Sequence, residues 1–361
     1  MKVLQIINSL ATGGAEKLIL DTIPLLNEKG IHTDVAVFKS NEYPFQISLK
    51  QKNCCYIHNL NFNSVYNPFI IFKLRNIIKN YDVVHVHLFP ALYFTLLASL
   101  FLKKKPKLVY TEHSTHNKRQ KHPIFKPLDR FIYKNYSKII AISKEIKKII
   151  QIHAHLPNEK LIVIENGVDL NLIFKANAYR KTELNSTFSE SDKIIIQVSS
   201  FNPVKDQVTL IKSMIHLPQE YKLLLVGDGV NKERCIQLSK DLHLDKRILF
   251  LGVRSDIPQL LKSADYVVLS SQYEGLSLSS IEGMASGKPF IASNVPGLRT
   301  VVDGAGILFE YKNSKALADV ILKLDKNLKF KSQVIENCIQ RAKQYDIINM
   351  IDKLMHTYQS M

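Results

Sequence analysis

The stretch Glu274–Gly297, EGLSLSSIEGMASGKPFIASNVPG, decides the fold class and most of the functional interpretation. It holds two glutamates eight positions apart, one at a glycine turn and one early in a predicted helix, and then a Gly-Lys-Pro step into a short strand. Carboxylates in such places accept hydrogen bonds from sugar hydroxyls. In a doubly wound sheet they lie at the carboxyl ends of the strands, where the amides of the next helix favour a phosphate. The stretch therefore predicts a site for a ligand that carries both sugar hydroxyls and a phosphate.

Length and composition indicate a globular chain of two domains. The 361 residues exceed one ordinary core and suit two domains of roughly 170 residues each. The amino terminus, MKVLQIINSL, has one Lys and no small-residue cleavage site, so it predicts a first strand and a cytoplasmic protein. The cysteines form no C-x-x-C pair, which predicts reduced thiols without zinc or disulfides: Cys54, Cys55, Cys235 and Cys338.

Apolar runs of four to eight residues alternate with helical stretches, which indicates buried parallel strands. The runs are KVLQIIN, TDVAVF, DVVHVHL, KLVYTEH, KIIAIS and KLIVIENG in the first half, and KIIIQVS, KLLLVGDG, RILFLG, ADYVVLS, KPFIAS and GILF in the second. The polar stretch Lys175–Asp192 breaks this rhythm and predicts an interdomain linker. We therefore expect an α/β fold of two Rossmann-like, doubly wound parallel-sheet domains that face each other across a cleft. The expected domains are residues 1–175 and 176–340, and residues 341–361 are expected to form a helix that packs back on the N-terminal domain.

Positive charge is concentrated in the first half of the chain. The whole chain has 49 Lys and Arg against 32 Asp and Glu. Residues 103–148 alone carry 14 basic and three acidic side chains. Such a surface attracts polyanions, either nucleic acid or an anionic bilayer, although basic runs are more often plain solvated surface. The uncharged run Leu88–Leu102, LFPALYFTLLASLFL, is too short to span a membrane. It predicts a buried helix in preference to an interfacial one.

The loop Asn8–Glu16, NSLATGGAE, joins the opening strand to a helix that is predicted to begin near Ala15. Gly13 and Gly14 permit a close approach of the backbone to a ligand, and the helix amides suit an anion. The G-x-G-x-x-G fingerprint of nicotinamide and flavin domains is absent. A simple tight turn remains the alternative interpretation.

Three histidines fall at predicted strand ends. His85 and His87 alternate with valines, so both imidazoles are expected on one face of a strand. Since no third ligand stands nearby, a structural role or a substrate contact is favoured over a metal pair. His113 follows a strand where it leaves the sheet, which predicts a substrate contact, with a structural histidine as the alternative.

Taken together, these motifs resemble the retaining glycosyltransferases of family 4, which have the GT-B fold. Glu274–Gly297 resembles the E-x7-E region of that family, and Asn8–Glu16 resembles its N-terminal GGAE loop. Val198–Ile211, VSSFNPVKDQVTLI, resembles the G-R-L-x-P-x-K-G stretch. The resemblance covers about residues 1–340 and is specific for the family rather than for the substrate.

The resemblance implies roles for the matching residues. Lys205 falls on the lysine that meets the donor diphosphate, while Ser200 replaces the family arginine, so half of the phosphate clamp is missing. Helix amides or another basic residue would then assist Lys205; the nearby Arg299 is a weak candidate. Catalysis is expected to involve Glu274, His113 and Lys205. The expected nucleotide-sugar contacts are Gly13, Gly14, Lys205, Gly252, Val253, Glu274, Gly275, Leu276 and Glu282, and the expected acceptor-side residues are Asn8, Glu16 and His87.

The implied reaction moves a sugar from a nucleotide-sugar with retention of configuration. Retaining hydrolases use a carboxylate nucleophile, but no second carboxylate pair is evident here. The family is generally assigned a front-face route in which the leaving phosphate helps to deprotonate the acceptor, so positioning and electrostatic stabilisation dominate. The chain has no D-x-D triplet, which predicts transfer without a metal or other cofactor.

The leading hypothesis is a bacterial enzyme of surface polysaccharide synthesis that uses a UDP-sugar and a glycan or lipid-linked acceptor. Its basic N-terminal face would bind the inner surface of the cell membrane peripherally. The second hypothesis is a soluble sugar synthase with a small acceptor, which the uneven charge disfavours. The third is a non-catalytic protein that binds polyanions, but the chain has no nucleic-acid-binding motif.

Overall fold

The computed structural model describes residues 1–39, 41–113 and 125–361, which form two compact units. Unit 1 comprises Met1–Gly167 and Ile347–Met361, and unit 2 comprises Val168–Asp346. Each unit contains a parallel sheet with helices between successive strands. The predicted α/β class with two Rossmann-like domains is therefore confirmed.

The sheet of unit 1 has seven strands in the order β3-β2-β1-β4-β5-β6-β7. The strands are β1 (Lys2–Ile7), β2 (His32–Val37), β3 (Ile57–Asn59), β4 (Val83–His87), β5 (Lys107–Glu112), β6 (Lys138–Ala141) and β7 (Leu161–Val163). All residues of β4 are buried, as expected of a parallel strand that is covered on both faces. Strand β3 escaped the sequence analysis because it is three residues long, lies at the sheet edge and is not buried.

Among the residues that the structure describes, unit 1 contains seven α-helices. They are α1 (Gly14–Glu28), α2 (Pro44–Lys52), α3 (Ile70–Ile78), α4 (Ala91–Leu100), α5 (Phe125–Lys134), α6 (Lys144–Ala154) and α16 (Ile347–Gln359). Helix α4 falls within the apolar run Leu88–Leu102 and buries most of its side chains, so the buried-helix interpretation of that run is correct. Among the described helices, none is long and apolar enough to cross a membrane.

The sheet of unit 2 has six strands in the order β10-β9-β8-β11-β12-β13. The strands are β8 (Lys193–Val198), β9 (Tyr221–Val226), β10 (Ile248–Gly252), β11 (Tyr266–Leu269), β12 (Phe290–Ser293) and β13 (Ile307–Phe309). The helices are α7 (Leu170–Phe174), α8 (Lys181–Leu184), α9 (Gln207–Ser213), α10 (Lys232–Asp241), α11 (Ile257–Ser263), α12 (Leu278–Ala285), α13 (Pro296–Val302), α14 (Ser314–Lys326) and α15 (Leu328–Lys343).

The stretch Lys175–Asp192 lies inside unit 2, so its interpretation as a linker is wrong. Its polar sequence nevertheless contains helix α8, and Phe188 is buried in the core of unit 2. The chain passes between the units at Gly167/Val168 and again at Asp346/Ile347. The amide of Val168 donates to the carbonyl of Tyr345 at 2.9 Å, which ties the two ends of unit 2 together.

Both sheets reverse their strand order at one point. In unit 1 the reversal lies between β1 and β4, and in unit 2 it lies between β8 and β11. The loops at the carboxyl ends of such neighbouring strands diverge to opposite faces of the sheet and leave a crevice in which ligands bind. The loops after these four strands are therefore the places to look for functional side chains.

Candidate active site

The loops after β8 and β11 are fastened to each other at the reversal point of unit 2. Lys205 and Ser271 form an isolated antiparallel bridge, and the amide of Asp206 donates to the carbonyl of Ser270 at 3.1 Å. The Nζ atom of Lys205 contacts Oε1 of Glu274, and these side chains are only 15% and 9% exposed. An ammonium and a carboxylate thus lie side by side at the carboxyl edge of the sheet, where water screens them weakly.

The backbone of Glu274 is held by elements that follow it in the chain. A Cβ atom on Gly297, the second residue of α13, would lie 1.8 Å from the carbonyl oxygen of Glu274. Only glycine permits this approach, because real Cβ contacts are never so short. Ser293 at the end of β12 adds two hydrogen bonds to Ser271: its Oγ accepts from the amide at 2.9 Å and donates to the carbonyl at 2.7 Å.

The loops after β9 and β10 meet at the same edge. The amide of Gly227 donates to the carbonyl of Gly252 at 2.8 Å. Gly227 has a φ of +131°, and a Cβ atom there would lie 2.2 Å from the carbonyl oxygen of Ser199. Gly252 has a φ of +66°, and the side chain of the next residue, Val253, is exposed. These glycines let three strand ends converge and leave Val253 accessible.

Helix α12 carries the second glutamate of the opening motif. Gly275 and Leu276 lie just before it, and Glu282 lies within it and is partly buried. The first amides of a helix have no partner inside the helix and attract anions. The structure thus places the predicted residues of unit 2 at the carboxyl end of its sheet, around the paired Lys205 and Glu274.

Ser200, which stands at the position of the family arginine, and Arg299, the weak candidate to replace it, are both exposed. Ser200 accepts a hydrogen bond from the side-chain amide of Asn202 at 2.9 Å. Arg299 donates from Nε to the side-chain oxygen of Asn294 at 2.7 Å. Neither side chain is therefore assigned the phosphate-binding role of the family arginine.

In unit 1 the glycine loop leads from β1 into α1, which begins at Gly14, one residue before the predicted position. A Cβ atom on Gly13 would lie 2.2 Å from Oε2 of Glu16, because this carboxyl group folds back over the loop. Burial raises the pKa of Glu16. A Cβ atom on Gly14 would meet no described atom within 4 Å. Asn8 donates from Nδ2 to the carbonyl of Phe89 at 2.8 Å and thereby connects the loops after β1 and β4.

His87, an expected acceptor-side residue, is held by hydrogen bonds within unit 1. Its Nδ1 atom is hydrogen bonded to Nε2 of His113 at 2.9 Å, and its Nε2 atom to Oε1 of Gln5 at 2.8 Å. Both ring nitrogens are therefore used within the protein, and the side chain is only 6% exposed. His85 and His87 do share one face of β4, as predicted, with ring centroids 4.3 Å apart.

The hydrogen bonds continue to residues that the sequence analysis missed. Nε2 of Gln5 donates to the hydroxyl of Tyr358 at 3.3 Å, and this hydroxyl lies 2.6 Å from Nδ1 of His85. Nε2 of His85 lies 2.7 Å from Oγ1 of Thr111. Gln5 was detectable as the one polar residue inside the run KVLQIIN. Tyr358 gave no signal, because it meets its partners through the fold alone.

The three histidines are uncharged at neutral pH. Burial, together with the neighbouring His113, lowers the pKa of His85 to about 3, and burial lowers that of His113 to about 4. The pKa of His87 lies well below its usual value because of burial and the two flanking imidazoles. In the described residues no group of three His, Cys, Asp or Glu side chains is arranged to hold a metal ion.

Unit 1 is expected to lose stability between about pH 6.5 and pH 4. The unfolded chain protonates these histidines near pH 6.5, whereas the folded protein protonates His113 only near pH 4, so unfolding takes up protons and is favoured as pH falls. The loss from His113 alone should be about 3 kcal/mol over this range. Urea unfolding at several pH values measures it. In His113→Asn the dependence should become shallower than in the wild type; an identical slope in both proteins would contradict this assignment.

Comparison with known proteins gives the class of enzyme. The model of the family described as "Glycosyltransferase Family 4" matches residues 12–172, and that described as "Glycosyl transferases group 1" matches residues 180–342. The chain belongs to glycosyltransferase family 4.

Relatives of the chain are named for different acceptors. The chain is 29% identical over 325 residues to N-acetyl-alpha-D-glucosaminyl L-malate synthase of Bacillus anthracis, covering 85% of this chain and 83% of the relative. It is 28% identical over 301 residues to the UDP-Gal:alpha-D-GlcNAc-diphosphoundecaprenol alpha-1,3-galactosyltransferase of Escherichia coli, covering 78% and 76%. Over 95% of both chains it is 24% identical to a Campylobacter jejuni N-acetylgalactosaminyltransferase whose named substrate is also a diphospho-undecaprenol glycan.

Solved structures agree on the fold. HepE of Anabaena, crystallised with UDP and glucose, superimposes with a TM-score of 0.85 at 24% identity and full coverage of both chains. The sucrose-phosphate synthase of Thermosynechococcus elongatus gives a TM-score of 0.77 at 19% identity, covering 100% of this chain and 98% of the other. The fold is therefore GT-B, as the sequence resemblance implied.

Proposed function

We propose that this glycosyltransferase moves a sugar from a UDP-sugar, with retention of configuration, to a glycan or lipid-linked acceptor in the synthesis of a cell-surface polysaccharide. The observation that carries the proposal is the contact between Lys205 and Glu274 at the strand-order reversal of unit 2. The ammonium suits a diphosphate, and the carboxylate suits the hydroxyls of the sugar that is attached to it.

The donor is expected to bind along the carboxyl edge of unit 2. The amides at the start of α12 would face phosphate oxygens together with Lys205, and Glu282 on the same helix would accept from the ribose hydroxyls. The exposed Val253 and the backbone at Gly252 would contact the base. Two of the relatives and neighbours described above are named with UDP or UDP-galactose, which supports a UDP-sugar.

In the proposed reaction the bond between the anomeric carbon and the diphosphate oxygen breaks, and a bond to the acceptor oxygen forms on the same face. The acceptor proton passes to an oxygen of the leaving diphosphate. Lys205 and the amides of α12 stabilise the charge that grows on this group, and no metal ion is required. His113 is a further proposed contact of the sugar substrate.

A surface of unit 1 favours an acceptor at a membrane. Helices α3, α4 and α5 pack side by side and contain no exposed acidic residue in their described parts. Their large exposed apolar side chains are Phe69 (64%), Phe72 (62%), Leu100, Phe101 (63%), Leu128 and Phe131 (50%). Exposed cations on α3 and α5, in the segments that follow α3 and α4, and at the start of β5 are Arg75, Lys79, Lys103, Lys104, Lys105, Lys107, Lys126 and Lys134. We call these side chains the aromatic–basic surface. Aromatic rings that enter the headgroup region and cations that attract anionic lipids are the two means of peripheral binding.

Part of the basic stretch 103–148 falls outside the described residues, namely Lys118, Arg119 and Lys121. The proposed membrane-binding surface uses only cations that lie in the described part of the chain. Binding to the inner face of the cell membrane would bring the enzyme to an acceptor carried on a lipid.

A small acceptor is the second candidate. It is favoured by the 29% identity to a synthase that is named for L-malate. A purified protein should be tested with UDP-, GDP- and ADP-sugars against a polyprenyl-diphosphate-linked sugar and against malate, with release of nucleoside diphosphate as the readout and EDTA in a parallel series. We expect UDP-sugar turnover with the lipid acceptor and no loss in EDTA. Turnover with malate alone would establish the second candidate instead, and loss in EDTA that magnesium restores would refute the metal-free reaction.

Binding to vesicles should have an electrostatic and an apolar component. Replacement of Lys103, Lys104, Lys105 and Lys107 by Gln is expected to weaken binding to anionic vesicles by about 1 kcal/mol per charge at most, and mainly at low salt. Replacement of Phe72 and Phe101 by Ser should weaken binding at high salt as well. Cosedimentation with phosphatidylglycerol vesicles measures both effects.

The matched control replaces four exposed lysines of unit 2, Lys240, Lys246, Lys326 and Lys329, by Gln. It removes the same charge and should leave more of the binding intact. If the two lysine variants bind equally, net charge alone governs the association and the aromatic–basic surface is not a docking site.

A further inference from the structure

A chain of hydrogen bonds runs through the core of unit 1 from Thr111 in β5, through Tyr358 in the last helix, α16, to His113. Its members, in order, are Thr111, His85, Tyr358, Gln5, His87 and His113. The five links measure 2.6–3.3 Å. All members except His113 are at least nine-tenths buried, and His113 is partly accessible at the end of β5. The chain therefore ends at the one member that a substrate can reach.

The direction of one link determines the direction of the others, because each link needs one donor and one acceptor. The side-chain oxygen of Gln5 faces Nε2 of His87 and can only accept, so this nitrogen carries the proton. His87 is neutral, and its Nδ1 must therefore accept from Nε2–H of His113. His113 is neutral as well, which leaves its Nδ1 unprotonated.

The hydrogen bonds on the other side of Gln5, which lead to Thr111, run in the corresponding direction. The amide nitrogen of Gln5 donates to the hydroxyl of Tyr358, which is then free to donate its own proton to Nδ1 of His85. Nε2–H of His85 then donates to Oγ1 of Thr111. Tyr358 is thus the second partner of the Gln5 side-chain amide, and the orientation of that amide determines the tautomers of His87 and His113. Rotating this amide by half a turn would invert every link and place the proton of His113 on Nδ1.

We propose that this chain fixes His113 as the neutral Nε2–H tautomer and presents its Nδ1 as a hydrogen-bond acceptor to a hydroxyl group of the sugar substrate. Within the described residues Nδ1 of His113 has no partner. Gln5, His87 and Tyr358 are positioning residues in this account, since they act through His113. The inference rests on the proposed function only for the identity of the hydroxyl, and the tautomer itself is independent of it.

The tautomer can be measured on the full-length protein by nitrogen NMR of histidine-labelled samples, in which protonated and unprotonated ring nitrogens have different shifts. The His113→Asn variant identifies the signals of His113. We expect the wild type to show a protonated Nε2 and an unprotonated Nδ1. A protonated Nδ1 on His113 in the wild type would overturn the proposal without any mutant.

Two variants test the positioning residues. Tyr358→Phe removes the hydroxyl that accepts from the Gln5 amide, and Gln5→Leu removes the acceptor for His87. In both we expect the His113 nitrogen shifts to move towards each other, as in a mixture of tautomers, and kcat to fall roughly 3- to 10-fold, the factor for one hydrogen bond. The KM for the nucleotide-sugar should stay within about twofold, because only the orientation of one contact is lost.

The matched control is Thr357→Val on the same helix. It deletes a buried hydroxyl that donates to the carbonyl of Lys353 at 2.7 Å and does not belong to the chain. This variant should keep both the wild-type nitrogen shifts and kcat. Unchanged His113 shifts in folded Tyr358→Phe and Gln5→Leu would refute the positioning role. Expected shifts in a wild type that transfers no sugar would instead refute the proposed function and leave the tautomer assignment standing.

Discussion

Replacement of Lys205 by Met is expected to lower kcat/KM for the nucleotide-sugar by about 30- to 1000-fold, which corresponds to about 2–4 kcal/mol of lost transition-state stabilisation. Lys205 follows β8 at the strand-order reversal, and its ammonium is mostly buried against Glu274. In such a place one charge-assisted bond to a departing diphosphate is worth far more than an exposed ion pair. Steady-state release of UDP measures the effect.

The substitution also leaves the buried carboxylate of Glu274 without its cation, which costs stability. The double variant Lys205→Met/Glu274→Gln separates the two effects: stability should return and activity should not. The matched control is Lys193→Met, since Lys193 begins the same strand β8 and is paired with Asp325 at the opposite end of the sheet. Wild-type turnover in folded Lys205→Met, or an equal loss in Lys193→Met, would contradict the phosphate assignment.

The second large effect is expected from Gly297→Ala. A methyl group at this position would lie 1.8 Å from the carbonyl oxygen of Glu274 and 2.6 Å from its carbon. Neither atom belongs to a flexible side chain, so α13 and the Glu274 loop must separate. Overpacking of this kind costs about 1–3 kcal/mol. Since the displaced loop carries Glu274, the transfer rate should fall at least about tenfold as well.

Thermal unfolding and UDP release measure the two consequences of Gly297→Ala. Thr300→Ala, on the same helix α13 and at an exposed position, is the matched control and should change neither quantity appreciably. A Gly297→Ala protein with wild-type stability and activity would show that the Glu274 loop is not held by this contact.

The parallel strands were predictable because their signal is local. Buried parallel strands are continuous apolar runs, and the run at β4, for example, has every residue buried. The short edge strand β3 lacks that signal, since Ile57–Asn59 is only partly buried. The prediction of a linker at Lys175–Asp192 was wrong for the opposite reason. Its composition is that of a linker, but Phe188 supplies enough apolar surface to join the core of unit 2.

The candidate site was predictable where family motifs mark it and not where packing alone creates it. Lys205 and Glu274 stand 69 residues apart, yet both follow strands that the pattern located, and the structure brings them into contact. The hydrogen bonds of His87 were not predictable, because nothing in VHVH shows that Gln5 and His113 occupy both of its ring nitrogens. Tyr358 lies 353 residues from Gln5, and only the docking of α16 on unit 1 makes them neighbours.

The central claim is retaining transfer from a UDP-sugar through the site at Lys205 and Glu274. The most direct measurement is the proton NMR spectrum of the product formed from an α-linked UDP-sugar and a lipid-linked acceptor, with UDP quantified in the same sample. We expect a new α-glycoside and an equal amount of UDP, both strongly reduced in Lys205→Met. A β-glycoside, or UDP release that yields only free sugar, would contradict it.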